Sequence, residues 1–184
     1  MGRIAAASAP GDEVMVVLIG HGTARGERVL FNIPGPDISA AELGELLDAM
    51  PKRRIAVVNT ASSSGPFIEA LSGPERVIVT ATSSASENLA PRFGGHFVTS
   101  FTDEADRDKD GRISLREAFV HATTMVEQDF ERERRIRTEH ALLDDDGDGT
   151  GSGVLDEEAG DGDLAARWYL TPGEYRTAAT RRAF

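Results

Sequence analysis

The chain has no cysteine among its 184 residues. That absence excludes disulfides, zinc–thiolate sites and any thiol nucleophile, so hydrolytic chemistry here would have to proceed without sulfur. Long apolar runs are missing as well. No segment approaches the ~20 apolar residues of a membrane-spanning helix, and Met1–Ser8 shows no apolar stretch of the signal-peptide kind. A basic stripe is also lacking. The formal net charge is −11, and the arginine-rich stretch Arg132–Arg137 is interrupted by Glu133 and preceded by Glu131. This is the pattern of a solvated helix face. Nucleic acid is therefore excluded as a partner, because phosphate binding needs clustered Lys and Arg.

What remains is an ordinary globular balance, 40% hydrophobic and 28% charged, in a chain long enough to bury a core as one domain. Much of the acidity lies in two Asp-rich segments, which points to a cation. Residues 1–13 read as a flexible lead-in and residues 14–184 as a single α/β domain. Val14–Ile19 is a continuous apolar run that predicts a strand buried on both faces. Residues 23–36 read as loop, with Pro34-Gly35-Pro36 as breakers. Ser39-Ala40-Ala41-Glu42 is a capping box, followed by Leu43, Leu46, Leu47 and Met50 at helical spacing and by Pro51 as a stop.

Ile55–Val58 and Arg76–Thr82 are further strands, with Pro66 opening a short helix between them. A helix or loop covers Glu87–Phe101, a long amphipathic helix runs from Glu117 to about Arg137, and Trp168-Tyr169-Leu170 is expected to dock on the core. Strands alternating with helices imply βαβ units and a mostly parallel sheet with flanking helices. Such sheets carry their working residues beyond the carboxyl ends of the strands. His21 follows the first strand and Ser62 the second. His96 and His121 show no partners at ligand spacing and read as structural, whereas His140 lies beside the second acidic segment and is expected to hydrogen-bond there.

Asp106–Glu117 fits the twelve-residue EF-hand loop. Asp106, Asp108 and Asp110 hold positions 1, 3 and 5, Gly111 makes the sharp turn, Arg112 would offer its backbone carbonyl, Ser114 would act through water, and Glu117 would give two oxygens. Calcium is a hard cation wanting 6–8 oxygens, and carboxylates two apart on a tight loop converge on one point. The stretch before Asp106 is short and polar, so a lone calcium-stabilised loop is expected and not a paired sensor. The bland alternative is an acidic turn whose Glu117 only closes a capping box with Ser114. A second candidate, Asp144, Asp146 and Asp148, repeats the opening, but Leu155 stands at position 12. Asp156 or a distant residue would have to replace the missing carboxylate, and a flexible acidic turn is an equal alternative.

The segment Val14–Thr23, ending Gly-His-Gly-Thr, and the segment Ile55–Gly65, ending Ala-Ser-Ser-Ser-Gly, resemble the two catalytic strands of the legumain/caspase-type cysteine peptidases. Thr138–Gly149 is similar to a His-x-Leu-x-Asp-Asp-Asn-Gly-Asp-Gly segment of bacterial legumain relatives. The resemblance spans roughly residues 14–170 and implies a caspase-like fold. It puts Ser62 at the cysteine position and His21 at the base, with the N–H groups of Gly22 and Ser62 as an oxyanion hole. It also places Ser83–Asn88 beside the substrate pocket of a family that reads Asn or Asp side chains, while the residues themselves read first as a solvent-exposed loop. The family has further strand–helix units ahead of its histidine strand, so either these lie upstream of Met1 or the sheet here is smaller.

A serine hydroxyl, unlike a thiol, needs a well-oriented base, and no third residue that orients His21 is visible. The reading that follows is a non-catalytic or weak serine variant, calcium-binding, whose former cleft holds a peptide or protein partner. The alternative is a calcium-stabilised structural domain with no cleft function. Calcium loops of this kind suit an extracytoplasmic setting.

Overall fold

The computed structural model describes residues 2–26, 28–50, 53–102, 104–155 and 160–170. The apolar runs form the strands predicted for them: β1 is Glu13–Leu18, β5 Arg54–Asn59 and β6 Arg76–Thr80. β1 runs parallel to β5, and β5 parallel to β6. A short strand β7, Leu142–Asp144, closes the sheet antiparallel to β6, giving the order β1-β5-β6-β7. The α/β architecture with a mostly parallel sheet and flanking helices is therefore as expected, with one antiparallel edge.

Side chains on a strand alternate between faces, and the core divides accordingly. Ile55, Val57 and Ile78 join one cluster with Leu43, Leu47, Phe67 and Leu71 of helices α2 (Ala40–Asp48) and α3 (Phe67–Leu71). Ala56, Val58, Val77 and Val79 join the other with Phe93 and Phe97 of α4 (Phe93–Thr99) and Leu115, Phe119 and Val126 of α5 (Leu115–Arg132). The Ser39–Glu42 capping box forms as predicted: Glu42 N–H donates to Ser39 Oγ at 3.2 Å and Ser39 N–H to the Glu42 carboxylate at 2.8 Å. Pro51 lies outside the described residues. The Trp168 ring docks on the α5 side of the core, as its composition suggested, while Tyr169 stays 36% exposed.

Four expectations change. β1 is an edge strand, and Val14 is its only fully buried residue, with Val17 41% exposed. Residues 23–36, read as loop, lie within the span of an antiparallel sheet of β2 (Gly22–Arg25), β3 (Arg28–Phe31) and β4 (Ile38–Ser39). The breakers sit in the connections, and Val29 and Phe31 supply its buried face. The long helix starts at Leu115 and stops at Arg132, because Arg134 turns the chain at φ +53°. Finally, the lead-in carries a short helix α1, Gly2–Ala7, whose end is held by hydrogen bonds from Arg53 to Ser8.

Candidate functional site

β1 and β5 are in register with Leu18 opposite Asn59. His21 and Ser62 follow these residues by the same number of steps, so both leave the sheet at its carboxyl end. Ser62 is buried, and its Oγ donates to the Gly22 carbonyl at 3.1 Å while accepting the Gly22 N–H at 3.4 Å. Only glycine fits at position 22, because a Cβ there would lie 1.9 Å from the Ser62 carbonyl oxygen. The His21 ring is exposed and makes no hydrogen bond among the described residues; its carbonyl accepts from Asn32 N–H at 2.9 Å. The Ser62 N–H is likewise without a partner among the described residues. Imidazole, hydroxyl and both expected oxyanion-hole donors thus share one rim, but the hydroxyl proton is directed at a backbone oxygen.

The loop carrying Ser62 is tightly braced. Ser63 adopts φ +55°, a region unfavourable for a residue with a Cβ, and its N–H donates to Glu87 O at 2.9 Å. Thr82 Oγ1 accepts from Ser64 N–H and Gly65 N–H at 2.7 and 3.1 Å. In the Ser83–Asn88 segment Ser83, Ser86 and Asn88 are exposed, as a surface loop requires, while Ala85 O accepts from Ser63 Oγ at 2.9 Å and ties the segment to this loop. The Glu87 carboxylate accepts from Ser83 N–H and His140 N–H at 2.9 and 3.0 Å and pairs with the His140 ring at 2.5 Å. Burial raises the Glu87 carboxyl, but these bonds outweigh it and hold it below the ordinary glutamate range. His140 therefore bonds to Glu87 and not to the acidic segment beside it. His96 pairs with Asp129 at 2.8 Å, a structural role as expected.

A cavity of about 520 Å³ opens beside His21, between the end of β1 and α4, lined by Ile19, Thr60, Pro91, Gly94 and Val98. Ile19 and Val98 are 73% and 58% exposed, so its mouth is apolar. Gly94 permits the close approach of α4, since a Cβ there would meet Thr60 Cβ at 2.8 Å.

The Asp106 loop takes the fold its spacing demands. Lys109 and Gly111 have φ +63° and +84°. Gly111 N–H donates to Asp106 at 3.2 Å, Asp110 N–H to Asp108 at 3.0 Å and Arg112 N–H to Asp110 at 2.7 Å. Glu117 closes the loop through Arg107 N–H at 2.8 Å and also completes the capping box with Ser114, so both roles read from the sequence are present together. Carboxylate oxygens of Asp106, Asp108 and Glu117 lie within 4.8 Å of one another; Asp110 is not in that group. No described helix runs into the loop, because α4 stops at Thr99. The Arg112 guanidinium lies over the Tyr169 ring, 3.1 Å from its centroid.

In the second loop Gly147 and Gly149 have φ +84° and +80°, at the positions that Lys109 and Gly111 hold in the first. Asp148 N–H donates to Asp146 at 3.0 Å and Thr150 N–H to Asp148 at 2.6 Å, again the first loop's pattern. The third carboxylate near this loop is Asp161, which sequence reasoning did not single out; it groups with Asp144 and Asp146 within 4.8 Å, while Asp148 stays outside. Its one signal was a lone Asp between Gly160 and Gly162, both at positive φ. Asp156 lies outside the described residues. Burial raises the Asp144 carboxyl above its ordinary range, and Asp146 and Asp148 add to the rise. Burial does the same to Asp161, with Asp146 and Asp144 adding.

No curated protein sequence matches the chain. The model of the Peptidase C13 family, the legumain family, matches residues 2–135, which covers the sheet strands β1, β5 and β6, the His21–Ser62 rim and the Asp106 loop and stops short of the second loop. A parallel sheet that delivers a histidine and a short hydroxyl residue to one rim, together with a match over most of the chain, shows that the chain belongs to the Peptidase C13 family.

Proposed function

We propose that this chain is a non-catalytic member of its peptidase family that keeps the inherited rim as a binding surface for a peptide or protein segment and holds calcium in the Asp106 loop. The observation that carries the first part is the Ser62 hydroxyl, buried and donating to Gly22 O at 3.1 Å. A serine nucleophile must pass its proton to a base held by a third group, and among the described residues nothing orients His21. The apolar mouth beside His21 supports binding of an extended segment with hydrophobic side chains.

Calcium is supported by the chemistry of the donors. Asp106, Asp108 and Glu117 converge on one point, all ligands are oxygen, and Asp110 and the Arg112 carbonyl lie on the same loop. Bound calcium would hold the start of α5 to the loop through Glu117.

The test is purified protein incubated with peptides bearing Asn, Asp, Arg or Lys before the scissile bond. No turnover is expected. Turnover that disappears in Ser62→Ala would overturn the reading. Ser62→Cys is expected to gain hydrolysis if the rim retains its ancestral shape. Absence of any peptide binding at the rim, measured by protection of His21 from chemical modification, would favour the structural-domain alternative.

A further inference from the structure

Asp144 is the most deeply placed carboxylate of the second loop, 1% exposed. Its Oδ1 accepts the Gly147 N–H at 3.1 Å. Its Oδ2 is fully buried and meets no donor in good hydrogen-bond geometry, although the Ser72 hydroxyl lies near enough to the carboxyl to offset part of the rise that burial imposes. A buried carboxylate oxygen without a well-directed donor is costly, and native folds rarely tolerate it without an ion or water. The same carboxylate belongs to a group of three whose oxygens lie within 4.8 Å of one another, the others being Asp146 and Asp161. Like charges at that spacing repel, and no Lys, Arg or His forms an ion pair with any of the three among the described residues.

We propose that Asp144, Asp146 and Asp161 form a second divalent-cation site, in which a residue remote from the loop supplies the closing carboxylate that Leu155 cannot. The donors are all carboxylate oxygens, which selects a hard cation, and the backbone repeats the Asp106 loop, which favours calcium over magnesium. Asp161 is positioned for this by its neighbour: Asp145 N–H donates to Asp161 Oδ1 at 2.9 Å, and the Asp145 carboxylate accepts Gly162 N–H and Ala165 N–H, each at 2.7 Å. The cation would therefore bind residues 160–170 to the end of β7. That segment continues to the first loop, where Leu115 N–H donates to Trp168 O and Leu170 N–H to Ile113 O, both at 2.7 Å. The site does not depend on the peptide-binding reading, and it stands apart from the Asp106 loop because none of the three ligands is shared.

The experiment is calorimetric titration of chelator-stripped, full-length protein with calcium chloride, repeated with magnesium chloride, on the parent and on Asp161→Asn, Asp146→Asn and Glu117→Gln. Asp146 is exposed, so its variant keeps the fold even where Asp161→Asn does not. Asp146→Asn and Asp161→Asn are each expected to lose one equivalent of calcium, or to bind it roughly 10-fold more weakly or worse, while Glu117→Gln retains it. Unchanged stoichiometry and affinity in Asp146→Asn would overturn the proposal, as would a parent whose calcium binding Glu117→Gln abolishes entirely. Loss in Asp146→Asn with none in Glu117→Gln would uphold this site and remove calcium from the Asp106 loop alone.

Discussion

The Ser62 hydroxyl donates to the carbonyl of Gly22, the residue that follows His21, and accepts that residue's N–H in return. The segments that leave the adjacent parallel strands β1 and β5 are thus stitched together by the very group that would have to leave this bond to attack a substrate. Ser62→Ala should cost about 1 kcal/mol of stability, the net worth of a typical buried hydrogen bond, and leave peptide turnover at background. Urea unfolding of the two proteins checks the first point and a peptide assay the second.

Gly22 and Gly94 make the opposite forecast to Gly95 for the same substitution. Gly22→Ala drives a Cβ to 1.9 Å from Ser62 O and Gly94→Ala one to 2.8 Å from Thr60 Cβ. Both should destabilise by about 1–3 kcal/mol or more. Gly95 lies exposed in α4 with nothing within 4 Å of its would-be Cβ. Gly95→Ala should stabilise by about 0.5–1 kcal/mol through helix propensity. Midpoints of urea unfolding that fail to fall in this order would contradict the described packing of α4 on the end of β5.

Glu87 predicts a pH dependence. Its carboxyl is held below the ordinary value of 4.5 in the folded chain. A depressed acid contributes stability that is fully present above the unfolded value and is lost as pH falls through the folded one. Glu87→Gln should therefore cost about 1.5–3 kcal/mol near neutrality, the range for hydrogen bonds to a charged group. The gap between parent and variant should narrow as pH falls below about 4.5. A gap that stays constant from pH 7 to pH 3 would show that the charge on Glu87 is irrelevant to the bracing of the Ser63 loop.

Chelation should lower thermal stability. A cation at 100 times its dissociation constant adds about 2.7 kcal/mol to the native state, roughly 5–10 °C in Tm for a chain of this size. Glu117→Gln retains the capping arrangement with Ser114, since glutamine serves at that position, but removes a carboxylate from the proposed cation site. Its Tm should respond less to EDTA than that of the parent, as differential scanning calorimetry would show.

The sheet and both capping boxes were legible because each rests on a local signal: an uninterrupted apolar run for β1, β5 and β6, and a Ser-x-x-Glu spacing for α2 and α5. The placement of His21 and Ser62 on one rim followed from the βαβ pattern, which needs only strand order and direction. The β2–β4 sheet was missed because Gly26, at φ +61°, and Pro34-Gly35-Pro36 dominate a window in which Val29, Leu30 and Phe31 are the longest apolar run. β7 escaped for a similar reason, with two leucines beside an acidic run. Asp161 was out of reach for a different cause: its proximity to Asp144 comes from the path of the chain through Asp145, Gly162 and Ala165, and no spacing rule encodes that. The burial of β1 was overstated because an apolar run cannot distinguish a central strand from an edge.

Residues 160–170 touch both acidic loops, at Asp145 through Gly162 and Ala165 and at Ile113 and Leu115 through Trp168 and Leu170. A peptide fastened at both ends in this way cannot fray from one side alone. Its amide protons should exchange with solvent in a single cooperative opening, a foldon whose protection rises and falls as a block, and the lone tryptophan of the chain would mark that opening by its fluorescence.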